Sequence, residues 1–212
     1  MSRFGNPFTD YLQSIGDRTD LYEAVADRIG ARRVLYPGSY LDLAPSYVWP
    51  DVTYLDSDTR AHRAFTGTDA AISLARTRRK YEAEPRIEFI AGDYTDSLAA
   101  LPRAQWDLAL SLYAGPVSEH AARCLRPGGH LLVNNSHADA GLAHLDSGFE
   151  LEAAVHCESG RFRVVTDGLD RYFQPKRPPH PTRELLRADG RGVRYTRPAD
   201  VYLFRTKQNL PE

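Results

Sequence analysis

Short apolar runs alternate with helix-patterned stretches from residue 33 to residue 134, and that alternation limits the fold more than any other feature. Arg33-Val34-Leu35-Tyr36 is stopped by Pro37-Gly38, and Val52-Thr53-Tyr54-Leu55 ends in Asp56. Ile87-Glu88-Phe89-Ile90 runs into Gly92-Asp93, residues 106–112 form a fourth run, and His130-Leu131-Leu132-Val133-Asn134 a fifth. Between them the pattern predicts a charged helix over 69–82. A second helix carries Val117, Ala121, Cys124 and Leu125 on one face and stops at Arg126-Pro127-Gly128-Gly129. Strands that alternate with helices in this way predict an α/β chain with a Rossmann-like parallel sheet covered on both faces.

The flanks follow other patterns. Thr19 and Asp20 suit the cap of a helix with Leu21, Val25 and Ile29 on one face and Gly30 at its end, a helical prelude within residues 1–30. Beyond residue 148, the runs 149–156 and 161–165 predict a hairpin through Glu158-Ser159-Gly160. A basic passage with Pro175, Pro178, Pro179 and Pro181 follows, and Val201-Tyr202-Leu203-Phe204 is a last strand. The sheet should therefore end in antiparallel strands.

Composition narrows the class. At 212 residues, 42% hydrophobic and 26% charged, the chain reads as one globular domain over 1–212. Two cysteines, Cys124 and Cys157, are too few for a disulfide scaffold or a four-thiolate zinc site. No run of eighteen apolar residues suits a membrane-spanning helix, and Met1-Ser2-Arg3-Phe4-Gly5-Asn6-Pro7 lacks the apolar core of a secretory signal. A cytoplasmic location is the expectation. Residues 1–160 hold 15 basic and 22 acidic side chains, whereas 161–212 hold 12 and 6. The basic part either folds back on the acidic remainder or meets an acidic partner such as nucleic acid, the former being the reading adopted.

In an open parallel sheet, ligands bind beyond the carboxyl ends of the strands, where strand order reverses. The residues there are Pro37-Gly38-Ser39, Asp56, Gly92-Asp93, Ser111-Leu112-Tyr113 and Asn134-Asn135-Ser136-His137. Gly38 lets backbone approach a ligand closely. Asp56, 22 residues after Val34, suits both hydroxyls of a ribose. Asp93 suits an adenine amino group, with Ile90 or Tyr94 beside the ring. Each has a plainer reading: Asp56-Ser57-Asp58 also suits a helix cap, and Asp93 a turn. The polar run from Asn134 to Asp139 either lines a substrate pocket, through Asn134 and Asn135, or caps a helix. His137, Asp139 and His144 do not make a zinc arrangement.

Taken in order, Val34-Leu35-Tyr36-Pro37-Gly38, Tyr54-Leu55-Asp56, Gly92-Asp93, Trp106-Asp107-Leu108 and Leu125-Arg126-Pro127-Gly128-Gly129 resemble the class I S-adenosylmethionine-dependent methyltransferases over roughly residues 30–206. The resemblance implies S-adenosylmethionine as cofactor and an unidentified methyl acceptor. It implies Gly38 and Ser39 near the methionine portion, Asp56 on the ribose, Asp93 on the adenine, and Ser111 with Tyr113 beside the methyl group. For an acceptor that must lose a proton, His137 is the candidate base and Tyr113 the orienting group. One loop departs from the family: Gly38-Ser39-Tyr40-Leu41-Asp42 has Tyr40 and Asp42 where glycines are expected. Tyr40 then either occludes the cofactor or forms a wall of the acceptor pocket, and Pro45 shortens the helix that follows. Three rival readings are a different chemistry on the same fold, such as a nucleoside- or nucleotide-using enzyme, a degenerate fold acting as a binding module, and RNA binding through the basic C-terminal segment, whose Tyr172, Phe173 and Tyr195 would stack bases.

Overall fold

The computed structural model describes residues 5–178 and 180–207. Residues 1–4, on which the reading of the N-terminus leans, and Pro179 of the proline-rich passage lie outside the described residues, as do 208–212. The chain begins with α1 (Pro7–Ile15) and α2 (Thr19–Ala26). Asn6 caps α1 by accepting from the amides of Phe8 and Thr9. The start of α2 differs from expectation: Thr19 lies inside the helix, its amide donating to Asp17 Oδ1 at 2.9 Å, and the helix ends at Ala26, short of Gly30. Leu21, Val25 and Ile29 are all buried, as their spacing required.

There follow β1 (Arg33–Pro37), α3 (Pro45–Val48), β2 (Asp51–Asp56), α4 (Thr59–Phe65), α5 (Asp69–Arg78), β3 (Arg86–Ala91), α6 (Tyr94–Ala100) and β4 (Trp106–Ser111). Then come α7 (Ser118–Ala121), β5 (Leu125–Val133), α8 (Asp139–His144), β6 (Phe149–Glu158), β7 (Arg161–Val165), α9 (Arg183–Asp189) and β8 (Val201–Thr206). Two boundaries correct the sequence reading. Helix α5 stops at Arg78, not 82, because the Lys80 amide donates to the Tyr47 carbonyl at 2.7 Å and draws the chain back to α3. The helix expected to reach Leu125 is one α turn followed by a 3₁₀ turn, Ala122–Cys124. The Arg126-Pro127-Gly128-Gly129 run then lies inside β5 instead of ahead of it. Trp106 faces Leu125 and Leu108 faces His130, so residues 126–129 bulge out of the ladder.

The eight described strands form one sheet in the order β3-β2-β1-β4-β5-β8-β6-β7. Strands β1 to β5 are parallel, and the order reverses between β1 and β4. The last strand, β8, does not close the edge. It threads between β5 and β6, antiparallel to both, and leaves the β6–β7 hairpin outermost. The hairpin turns through Ser159 and Gly160 at φ 52° and 79°, a pair of left-handed residues whose twist matches the strands they join. Because β8 runs against its neighbours, its first residues sit at the carboxyl edge of β4 and β5.

Side chains alternate across the sheet with period two. Val34, Tyr36, Val52, Tyr54, Leu108 and Leu110 face one layer, formed with Phe8, Leu21, Tyr22, Phe65 and Ala71 of the helices up to α5. Leu35, Leu55, Ala109, Leu131 and Val133 face the other, with Leu98, Ala121 and Ala140 of the later helices and Tyr172, Phe173 and Tyr195. The basic C-terminal part folds back on the acidic remainder: Arg183 pairs with Glu119 at 2.8 Å and Asp146 at 3.3 Å, and Arg187 with Glu119 at 2.6 Å. No helix among the described residues is long and apolar enough to cross a membrane.

Candidate functional site

Two cavities open at the carboxyl edge of the sheet, each of about 270 Å³, and Tyr113 stands in the wall of both. The first lies where strand order reverses, the place a doubly wound sheet leaves for a ligand. Gly38, Asp56, Gly92, Asp93, Tyr94 and Ala114 form its walls with Leu55, Ser57 and Tyr113.

The loop after β1 is built to bring backbone close. Gly38 has φ 65°, and a Cβ there would stand 2.1 Å from the Cβ of Ala114. Glycine meets both demands at once. The two departures from a glycine-rich loop are both turned away from the cleft. Tyr40 adopts φ 46°, donates its amide to Asp56 Oδ2 at 2.7 Å, and places its ring 4.9 Å from that of Tyr11, with Arg60 stacked on it at 5.2 Å. Asp42 points into the core at 1% exposure. It accepts from Arg18 Nη1 at 3.1 Å, the Tyr22 hydroxyl at 2.8 Å, the Tyr36 hydroxyl at 3.2 Å and the Ala44 amide at 3.2 Å. Burial pushes the Asp42 carboxyl up, against the pull of Arg18 and Tyr22. Helix α3 is indeed a single turn. Ser39 is buried, and its hydroxyl has no partner among the described residues.

Asp56 ends β2 with one oxygen on the Tyr40 amide and the other on the Asp58 amide at 2.8 Å. The cap of α4 is Asp58, which accepts the Arg60 amide at 2.7 Å. Asp56 thus holds the loop and still faces the cleft. Asp93 caps α6 through the Thr95 amide at 2.8 Å, and hydrogen bonding to the Thr95 hydroxyl holds its carboxyl below the usual range. Tyr94 meets the His120 ring edge-on at 5.7 Å.

Behind the cleft, Ser111 and Ser118 both donate their hydroxyls to the Asp139 carboxylate, which also accepts the Ser118 amide at 3.0 Å. Burial pushes Asp139 up to about 6. This buried knot ties β4, α7 and α8 together beneath the loop that carries Tyr113. Tyr113 has φ 67°, is 65% exposed, and lies 5.2 Å from the Arg18 guanidinium. Asn134 Oδ1 accepts the amides of Tyr113 and Ser136, each at 3.3 Å, and Asn135 Oδ1 accepts that of Gly141 at 3.2 Å.

Five of the sequence-derived residues, Gly38, Asp56, Asp93, Tyr94 and Tyr113, therefore share one cleft, with Ser39 and Ser111 buried beside it. Asn134 belongs to the second cavity. Tyr40, Asn135 and His137 line neither, and His137 is exposed in a left-handed turn at φ 54°. His144 stacks on Phe173 at 4.4 Å. Among the described residues, no group of three His, Cys, Asp or Glu side chains is placed to hold a metal ion. Sequence reasoning passed over Arg18 and Asp200 in the second cavity, because their partners lie far along the chain.

No protein-family model matches the chain, and no curated protein does. Solved structures do. A protein of Corynebacterium glutamicum superposes with a TM-score of 0.56 at 11% identity, covering 100% of this chain and 94% of its own. The cofactor-bound Rv0187 from MTB gives 0.51 at 15% identity, over 76% of this chain and 88% of its own. A methyltransferase from Geobacter sulfurreducens gives 0.50 at 12% identity, over 99% and 93%. At these identities the likeness establishes the fold alone: a Rossmann-like, mostly parallel sheet with antiparallel strands at one edge.

Proposed function

We propose that the chain is an S-adenosylmethionine-dependent methyltransferase, with its cofactor in the first cleft and its acceptor in the adjoining cavity. The observation that carries this reading is the convergence of the Gly38 backbone with the Asp56 and Asp93 carboxylates at the reversal of strand order. The residues fit the group. A carboxylate accepts about four hydrogen bonds, and Asp56 already accepts two from backbone amides, which leaves capacity for the two hydroxyls of a ribose. Asp93 faces the same space as an acceptor for an amino group, with Leu55 and Tyr94 as apolar walls. Tyr40 and Asp42 leave the cleft open, since one packs outward and the other inward.

S-adenosylmethionine, when bound, supplies a methyl group already activated on a sulfonium sulfur. The chain's own task is then to orient an acceptor and exclude water. Tyr113, in the wall of both cavities, is the orienting residue. His137 has no part in this reading, because it lines neither cavity.

Equilibrium dialysis with labelled S-adenosylmethionine tests the proposal. Saturable binding at one site per chain, displaced by S-adenosylhomocysteine, is expected. A folded protein with no saturable binding would exclude it.

A further inference from the structure

The second cavity has a definite chemical character. Leu21, Leu112, Phe162 and Val201 supply apolar walls, while Asn134 and Asp200 supply polar ones. They meet because β8 is antiparallel: Val133 of β5 faces Tyr202, so Asp200 sits beside the end of β5 that carries Asn134. The hairpin brings Phe162 to the same edge.

The charges around this space are mostly compensated from within. Arg18 is committed to Asp42 at 3.1 Å. Asp17 accepts from Thr19 and pairs with Arg78 at 3.5 Å. Asp200 differs. Its Oδ2 accepts the Cys157 amide at 2.7 Å, and no Lys, Arg or His pairs with it among the described residues. The cavity thus presents one uncompensated carboxylate at the rim of an apolar wall. Asn134 has its oxygen occupied by two amides, so its NH₂ group is what remains for a ligand oxygen.

We infer that this cavity binds a small aromatic molecule bearing a protonated amine, its ring against Leu21, Leu112 and Phe162 and its ammonium on Asp200. An anionic ligand would meet Asp200 and Asp17, and the one cation among the described lining residues, Arg18, is already paired with Asp42. A neutral one would leave the negative charge of Asp200 unanswered. The ammonium is an anchor, since a protonated nitrogen has no lone pair with which to attack a methyl group. A phenolic or similar oxygen on the same molecule meets the Asn134 amide and faces Tyr113, the side shared with the first cleft. Only the role of this ligand as methyl acceptor rests on the proposed function; its binding does not.

Calorimetric titration of the full chain, without cofactor, separates the cases with three probes of one ring and different charge: tyramine, 4-ethylphenol and 4-hydroxyphenylacetate. Tyramine should bind most tightly and 4-hydroxyphenylacetate least. Asp200→Asn keeps a carbonyl for the Cys157 amide and should weaken tyramine by about ten- to a hundredfold, to the level of 4-ethylphenol. The same change should leave 4-ethylphenol unaltered, and Phe162→Ala should weaken both. The inference is overturned if tyramine gains nothing over 4-ethylphenol, if its advantage survives Asp200→Asn, or if none of the three binds. A separate titration with S-adenosylhomocysteine tells the two readings apart. Amine binding through Asp200 without cofactor binding keeps this inference and removes methyl transfer, while the reverse removes this inference alone.

Discussion

Asp139 holds its proton well above the pH at which an exposed carboxyl releases it. Burial raises it from 3.8 to about 6, although Ser111 and Ser118 hydrogen-bond to the charged form and pull the other way. The folded state therefore binds a proton that the unfolded chain has lost. This group's contribution to stability is full below about pH 4 and declines as pH rises to about 6. Asp139→Asn keeps the size and an oxygen for Ser118, presents an NH₂ that the rotatable Ser111 hydroxyl can accept, and removes the titration. Urea unfolding across pH should show wild type losing about 3 kcal/mol relative to that variant over this window, with a level difference above it. A difference that is flat throughout would contradict the assignment. At the cleft, Asp93→Asn should weaken S-adenosylhomocysteine more than free methionine, because an asparagine NH₂ can replace an acceptor with a donor facing the adenine amino group. Equal losses for both ligands would mean damage to the α6 cap. Tyr40→Ala should leave S-adenosylhomocysteine affinity close to wild type, since the ring rests on Tyr11 and Arg60 outside the cleft.

At the scale of elements, the loop after β1 is fixed from both sides. Gly38→Ala adds a Cβ at 2.1 Å from Ala114 in a left-handed backbone, which forces the loop after β4 to move. The backbone alone costs about 1–2 kcal/mol. Ala114→Gly in the same chain should recover the clash but not the backbone term, so the melting temperature of the double variant should fall between wild type and Gly38→Ala. Asp42→Ala leaves the half-buried Arg18 without its partner and two buried tyrosine hydroxyls without an acceptor, a loss of about 1–3 kcal/mol for each hydroxyl. Denaturant titration checks it. These elements also show what the sequence can disclose. The strand runs ending at Asp56 and Gly92-Asp93 were legible because a short apolar run and a polar stop are local signals. The β5 boundary was not, because proline and two glycines read as a helix stop when the ladder instead absorbs them in a bulge. Nor were the partners of Asp42 and Asp139: Arg18 lies 24 residues before the one, and Ser111 lies 28 before the other.

Across the whole molecule, the sheet divides the work. Its parallel half positions the first cleft at the reversal between β1 and β4, and its antiparallel half brings β8 and the hairpin to the rim of the second cavity. The fold class and the antiparallel strands followed from the alternation of patterns, but the threading of β8 between β5 and β6 did not. That placement is set by which apolar strand face finds cover, and it decides where Asp200 stands. The same long-range folding closes the basic segment onto Glu119 and Asp146. The central claim is that one cleft, organised by Asp56, holds S-adenosylmethionine. Calorimetric titration of wild type and Asp56→Ala with S-adenosylhomocysteine tests it most directly. The account predicts one site per chain in wild type and an affinity about ten- to a hundredfold weaker in the variant, which still unfolds cooperatively. Equal affinity in the two proteins, or no heat of binding from folded wild type, would contradict it.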